Sequence, residues 1–283
     1  MRSRSGALRN SRFASARGRC RTFDDILYET KNGAAWVTIN RPSRMNSFRA
    51  QTQDEVIAAC AQANDDAGAR VVVFTGVGDA FCAGADIKEM DDSAEQDAAS
   101  VDRTLRHDWK FYTAIRNIGK PVISRINGVA VGGGSNIVMA SDIRIASDKA
   151  RFGFPFQNIG LCGADGGCTY FLPRAVGYAM AAELIFTGRL FSAQEALHLG
   201  LINRVVPHHR LDEEVATVVE QIASKSPLAL RNAKLALSAS LDKDIASEYD
   251  YEMLVTTQCM LSNDFREGVA AFKEKRAPRF TGR

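Results

Sequence analysis

From residue 25 onward, apolar and polar positions first alternate and then fall into a longer period. Asp25-Ile26-Leu27-Tyr28-Glu29 reads as one strand and Ala35-Trp36-Val37-Thr38-Ile39 as the next. Asn32-Gly33 between them is a two-residue hairpin signal. Over 50–64 the spacing becomes helical, with Val56, Ile57 and Cys60 on one face. Arg70-Val-Val-Val-Phe-Thr75 is a continuous apolar run closed by Gly76, the pattern of a strand covered on both faces. The pattern then predicts a helix over 100–118, a strand over 121–126, a helix over 134–141 and a short strand over 142–146.

Strand, turn and helix thus recur at a spacing of roughly 45–50 residues, which points to an α/β core of stacked ββα turns. A helix is predicted over 166–174. Ser192-Ala-Gln-Glu195 reads as a reciprocal capping box, and Gly200 as the left-handed stop of that helix. Leu201–Val206 is expected to be a strand broken by Pro207, and 211–276 three or four helices. The expected organisation is an N-terminal extension over 1–22, an α/β core over 23–207 and a helical region over 208–283.

Charge changes the picture at one place. The 283 residues carry a net +3, but residues 1–22 hold seven arginines and no acid, so the remainder carries −4. The body is mildly acidic, against a nucleic-acid-binding role. The tail has the Arg- and Ser-rich composition of a mitochondrial transit peptide, with an upstream start site or a non-native extension as alternatives. A cytoplasmic location is expected, or the mitochondrial matrix if the tail is a transit peptide. No run reaches the ~18 apolar residues of a membrane span.

Metal and redox chemistry find little support. Cys20, Cys60, Cys82, Cys162, Cys168 and Cys259 contain no CxxC pair and read as reduced thiols. Cys162 and Cys168 lack a histidine at ligand spacing, and His107, His198, His208 and His209 form no HExxH, so no metal is expected. His208 and His209 are expected in a solvated loop after Pro207. A dinucleotide fingerprint and a phosphate loop are both absent, and Ser135 lacks the second glycine of a nucleophile elbow because position 137 is Ile137.

Two glycine-rich segments remain, Gly76–Met90 after the buried strand and Asn127–Asn136 after the next one. Small side chains let a ligand approach main-chain N–H groups, and a helix opening at Gly133-Gly134 adds a partial positive charge. Two N–H groups aimed at one oxygen form an oxyanion hole; two ordinary tight turns are the alternative.

NRPSRMNSF, AFCAGADIKEM, KPVISRINGVAVGGGSN, SDIRIAS and AELIFTGRLFSAQEALHLGLINRVV resemble the crotonase superfamily, the enoyl-CoA hydratase/isomerase group, from about residue 23 to 281. The resemblance implies a spiral ββα core with a C-terminal helical trimerisation region, a homotrimer or a hexamer built as a dimer of trimers, and an acyl-CoA substrate. It implies no separate cofactor, because coenzyme A is part of the substrate. Its shared chemistry is a thioester enolate held by two main-chain amides, which fall here on Ala85 and Gly133. CoA and substrate contacts are implied at Arg44, Met45, Ala83, Asp86, Ile87 and Phe156. Further contacts are implied at Phe272 and Lys275, whose segment family members often bring across a subunit boundary. A solvated last helical turn is the alternative for that basic cluster.

The chain departs from the hydratase pattern at both acids. Asn136 stands where one glutamate is usual and Phe156 where the other is. Asn136 cannot take a proton but can hold a water or an acyl oxygen. Asp165, in Gly160-Leu-Cys-Gly-Ala-Asp165-Gly-Gly, is the candidate replacement. Dienoyl-CoA isomerases, aryl-CoA dehalogenases, dihydroxynaphthoyl-CoA synthases and many proteins labelled enoyl-CoA hydratase carry an aspartate in this loop. Asp165 is read as the acid/base or nucleophilic carboxylate, with helix capping as the alternative. Tyr170 is expected either in the same pocket or in packing.

Three readings follow. The first is an enoyl-CoA hydratase/isomerase-type enzyme of fatty-acid metabolism. The second is a ring-opening C–C hydrolase of a cyclic β-keto acyl-CoA. It rests on DILYETKNGAAWVTINRPSRMNSFRAQT and REGVAAFKEKRAPRF, which resemble the ketocyclohexanecarboxyl-CoA hydrolases. The third is a non-catalytic acyl-CoA binder.

Overall fold

The computed structural model describes residues 23–89 and 97–283. The Arg-rich extension and Cys20 lie outside the described residues. The chain opens with β1 (Ile26–Lys31) and β2 (Ala34–Ile39), an antiparallel pair in which Lys31 faces Ala34. Asn32 and Gly33 form the turn, both with positive φ, as the two-residue hairpin requires. Then α1 (Ala50–Asp65) leads to β3 (Val71–Gly76), β4 (Ala80–Cys82) and α2 (Ala98–Arg116). The next turn is β5 (Val122–Ile126), β6 (Val129–Val131) and α3 (Gly133–Ala140). After it come β7 (Ile143–Ser147), β8 (Arg151–Gly153) and α4 (Cys168–Val176).

Each turn gives one strand to each of two sheets. The larger sheet has the order β1-β2-β3-β5-β7-β10 and the smaller β4-β6-β8-β9. From β2 onward the larger sheet is parallel, which requires a crossover between neighbours. The fold is therefore the α/β spiral of ββα turns expected from the sequence.

The rest of the chain is α5 (Tyr178–Thr187), β9 (Phe191–Ser192), α6 (Ala193–His198), β10 (Arg204–Val206), α7 (Leu211–Ala223), α8 (Pro227–Ala239), α9 (Ile245–Met260) and α10 (Asn263–Glu274). No helix among the described residues is long and apolar enough to cross a membrane.

β3 is buried at all six positions, as its apolar run demands. Val72 and Phe74 join the core between the sheets and helices, while Val71 and Val73 face the other way. That second face is covered by Leu211, Val215, Val218 and Val219 of α7, each worth about 1.5–3 kcal/mol of burial. The boundary expected near 207 thus falls just before a helix that belongs to the core's own layering.

Several local expectations need correction. The strand expected over 201–206 is shorter, since Leu201 and Ile202 are buried in the core while only 204–206 pair with β7. The helix expected from 166 begins at Cys168. The capping box is half formed. Ser192 Oγ accepts from the Glu195 amide at 3.1 Å, but the Glu195 carboxylate is drawn to Arg189 at 2.7 Å instead of reaching back. Gly200, with φ 79°, does stop α6 in the left-handed region. His208 and His209 lie in a short 3-10 turn rather than a free loop, and His208 Nδ1 meets Ser147 Oγ at 3.0 Å.

Candidate active site

The parallel strands β3 and β5 end side by side, so the loops that leave them are neighbours. Two buried asparagines tie these loops. Asn46 Nδ2 donates to the Val77 and Ala80 carbonyls at 2.9 and 2.7 Å. Asn127 Nδ2 donates to Gly78 and Ala80 carbonyls at 2.6 and 3.0 Å. Beyond β4 the backbone runs beside residues 45–48. The Ala83 amide donates to the Met45 carbonyl, Phe48 to Gly84, and Asp86 to Phe48. The pairing alternates, so the Ala85 amide is left without an acceptor among the described residues.

The Gly133 amide is likewise free, because it opens α3 and the first helical N–H groups have no intrahelical partner. The two peptides are close. A Cβ on Gly84 would lie 3.2 Å from the Gly133 nitrogen and 3.0 Å from the Val131 carbonyl oxygen. A Cβ on Gly134 would collide with the Cys82 carbonyl, so the start of α3 rests directly on the backbone of β4.

All eight residues of α3 are buried, Asn136 completely. Its Nδ2 donates to the Asp165 main-chain carbonyl at 3.0 Å and to the Asp165 carboxylate at 3.2 Å. Its Oδ1 is buried with no hydrogen-bond partner. Asp165 does not cap α4, whose cap is Gly167 with no side-chain bond. The Asp165 carboxyl turns instead toward Asn136, in a loop whose Gly166 lies against the ring of Tyr112 on α2. Burial and then the charge of Asp108 push the Asp165 carboxyl above the ordinary range. Hydrogen bonds from the Gly166 amide, Asn136 and Tyr112 pull the other way. Burial outweighs these hydrogen bonds.

Tyr112 was not singled out in the sequence. Its ring packs edge-on to Phe48 and tilted against Phe111, and a Cβ on Gly133 would meet its hydroxyl at 2.6 Å. Burial, then the charges of Asp165, Asp108 and Cys82, raise its hydroxyl well above the usual phenol, so it stays a proton donor at neutral pH. Phe156 is buried, with its ring edge 3.9 Å from where a Cβ on Gly132 would sit.

The other expected contacts divide. Met45 and Ala83 are joined by a backbone hydrogen bond, and Arg44, Met45 and Ile87 are exposed around the same loops. Asp86 is turned inward, its carboxylate 3.1 Å from the Arg41 guanidinium. That ion pair continues to Asp25, which is held by Arg49 at 2.8 and 3.0 Å and by Thr52 at 2.6 Å. Tyr170 donates to Asp242 at 2.7 Å and stacks under Arg174, outside this cluster. Phe272 and Lys275 are exposed on and just after α10. The tail beyond them is tied through the Phe280 carbonyl to Arg70, at the end of β3 opposite the site. Among the described residues, neither Phe272 nor Lys275 hydrogen-bonds to the loops that carry the amides of 85 and 133.

A spiral α/β core with two free amides at neighbouring loops defines the class, and comparison with known proteins agrees. The family model for enoyl-CoA hydratase/isomerase matches residues 29–283. A probable enoyl-CoA hydratase of Mycobacterium tuberculosis is 37% identical over 262 residues, 93% of this chain and all of that protein. A crotonyl-CoA hydratase of Syntrophomonas wolfei is 36% identical over 259 residues, 91% of this chain and 98% of that one. The crystal structure of an enoyl-CoA hydratase from Bacillus anthracis superposes with a TM-score of 0.86 at 35% identity, covering 92% of this chain and all of that one. The chain belongs to the enoyl-CoA hydratase/isomerase family of the crotonase superfamily.

Proposed function

We propose that the protein is an acyl-CoA enzyme of the hydratase/isomerase type. The thioester oxygen sits between the amides of Ala85 and Gly133, which carry the developing enolate charge; one such donor is typically worth ~10²–10³ in rate. Asp165 moves the proton. In hydration it takes a proton from the water that adds to the β-carbon and returns one to the α-carbon. In isomerisation it moves a proton between carbons of the acyl chain. The observation that carries this reading is the Asn136–Asp165 contact at 3.2 Å beside two free amides. The partnerless Asn136 Oδ1 suits the O–H of a water or substrate hydroxyl. Phe156 at this wall would turn an apolar face to the acyl chain.

Copies of the chain are proposed to associate as a trimer or a dimer of trimers. Tyr178, Phe186 and Phe272 expose 80%, 74% and 85% of their surface, a cost that association removes. Such an assembly would also let Phe272 and Lys275 serve a neighbour's CoA site.

The test is a panel of short, branched, cyclic and aromatic enoyl-CoA esters with product identification. A hydratase bleaches crotonyl-CoA absorbance without releasing free thiol. Ring opening of a cyclic β-keto acyl-CoA to a dicarboxyl-CoA would replace this reading with a C–C hydrolase. Thermal stabilisation by CoA esters with no turnover would reduce the protein to a binder.

A further inference from the structure

One hydrogen-bonded run leads from the surface toward the site and has no part in the chemistry above. Asp54 Oδ1, on the exposed side of α1, meets His107 Nε2 at 2.8 Å. His107 Nδ1 meets Gln53 Oε1 at 2.8 Å, and Gln53 Nε2 donates to Asp108 Oδ1 at 2.6 Å. Gln53 is buried between α1 and α2. The polarity of the run is set by its ends. Carboxylates accept, so the Gln53 amide nitrogen faces Asp108 and its oxygen faces His107. Both ring nitrogens of His107 then face acceptors.

Asp108 stands four residues before Tyr112 on α2, so the two project from the same helix face one turn apart. Tyr112 crowds Gly133 and Gly166, where an added Cβ would sit 2.6 Å from its hydroxyl and its ring respectively, and Gly166 adjoins Asp165. The run therefore fixes a second, half-buried carboxylate one helical turn from the tyrosine that packs beside the Asp165 loop.

We propose that Asp108, pinned by Gln53 and His107, is a positioning residue that acts through Asp165: its negative charge favours the protonated form of Asp165 in the substrate-free enzyme. The inference rests on the reading of Asp165 as the proton carrier and adds the group that sets its resting state. The charged and titratable groups around the pair are Asp108 and Tyr112 from α2, Cys168 from α4 next to Asp165, and Cys82 from β4 next to Tyr112. On the far side of Asp108 stand His107 and Asp54. Asp108 is itself raised by burial, against the Gln53 hydrogen bond and the His107 charge. Like charges in one partly buried cluster disfavour each other's ionisation.

The test uses the full chain with carbon-13 labelled aspartate carboxyls. The Asp165 resonance is assigned by its loss in Asp165→Asn and titrated by NMR. In Asp108→Asn the Asp165 midpoint is expected to fall by about one pH unit. Asp108→Ser, which also removes the charge, serves if the first variant folds poorly and should give the same direction. A purely structural clip between α1 and α2 would lower Tm and leave the midpoint alone, and an unchanged midpoint in a folded variant overturns the proposal. The readout needs no substrate, so it stands apart from turnover. If acyl-CoA esters are turned over and the midpoint does not move, only this inference fails; if the midpoint moves and no ester reacts, only the reaction does. With a reactive ester, the Asp165 limb of the pH–rate profile should move to lower pH by the same amount.

Discussion

Asn136 Nδ2 holds Asp165 twice, through its main-chain carbonyl at 3.0 Å and its carboxylate at 3.2 Å. A rigid, buried helix thereby fixes a carboxyl that belongs to a glycine-rich loop. Asn136→Asp keeps the shape and replaces the donor with a second acid. Two like charges at this distance raise one another. The acid limb of the pH–rate profile should move to higher pH by at least about one unit, with turnover at pH 7 lowered ~10-fold or more. A pH profile with the best ester of the panel decides this, and an unmoved limb would detach Asn136 from the proton chemistry.

Asp165→Asn should abolish turnover while CoA-ester affinity, measured by calorimetry, stays within a few-fold. The same variant has a signature in stability. The folded Asp165 carboxyl lies above its unfolded value, first through burial and then through Asp108. Such a group contributes stability that is complete below the unfolded value and lost as pH rises through the folded one. Asp165→Asn should therefore be more stable than the parent at pH 7, with the gain closing toward acid. Chemical denaturation at several pH values measures it. Retained full activity would remove Asp165 from the mechanism.

Asp25 makes the opposite case. Burial raises its carboxyl, but hydrogen bonds from Arg49 and Thr52 and the charges of Arg49 and Arg41 outweigh burial and hold it below 3.8. Its stability is present above the unfolded value and lost as pH falls through the folded one. Breaking so buried a pair typically costs about 3 kcal/mol. Asp25→Asn should lose an amount of that order at pH 7, and the two proteins should converge below pH 3.8. Because the network reaches Asp86 through Arg41, the variant should also loosen the loop that carries Ala85.

What could be read in advance was local. Asn32-Gly33 dictates its hairpin and Val71–Phe74 its two-sided burial without reference to distant residues. The glycine-rich loops were legible because close backbone approach needs small residues, and the hydrogen-bond pattern around 83–86 and 133 bears out their adjacency. What escaped was what depends on a partner far along the chain. Tyr112 lies on a helix that the pattern predicts over 100–118 without singling out any of its residues. Its role appears only where Phe48, Gly133 and Asp165 converge on it. The inward turn of Asp86 depends on Arg41, and the failure of Glu195 to close its capping box on Arg189. His107 belongs to no HExxH and so carries no metal signal in the sequence, but its partners are carboxylate and amide groups on α1.

Gly84 has φ 93°, a conformation L side chains rarely adopt, and a Cβ there would stand only 3.2 Å from the Gly133 nitrogen. Gly84→Ala would press its methyl against the Gly133 amide and the Val131 carbonyl. Strain of this kind costs roughly 1–3 kcal/mol. The two loops can relieve it only by parting, which separates the amides of 85 and 133. A fall in kcat of ~10²-fold or more is expected, the typical cost of one lost oxyanion donor. Calorimetric unfolding and single-turnover kinetics measure the two effects. Strain in stability with undiminished kcat would show that the amides do not act together.

Tyr112→Phe removes one oxygen from the centre of the cluster and leaves the ring between Phe48 and Phe111. Packing should survive, so the stability change should stay within about 1 kcal/mol, the net worth of one hydrogen bond. Chemistry should not survive equally. The Tyr112 hydroxyl stays protonated because burial and the charges of Asp165 and Asp108 forbid a phenolate. It can therefore donate to the Asp165 carboxylate whenever that group gives up its proton. Without it the carboxylate is less favoured, so the Asp165 midpoint should rise, and the acid limb of the pH–rate profile with it. This shift is opposite in sign to that expected for Asp108→Asn. Measuring both variants on one ester separates a donor that stabilises the charge from a neighbour that repels it. A common direction in the two would mean that the hydroxyl is not bonded to the carboxylate during turnover.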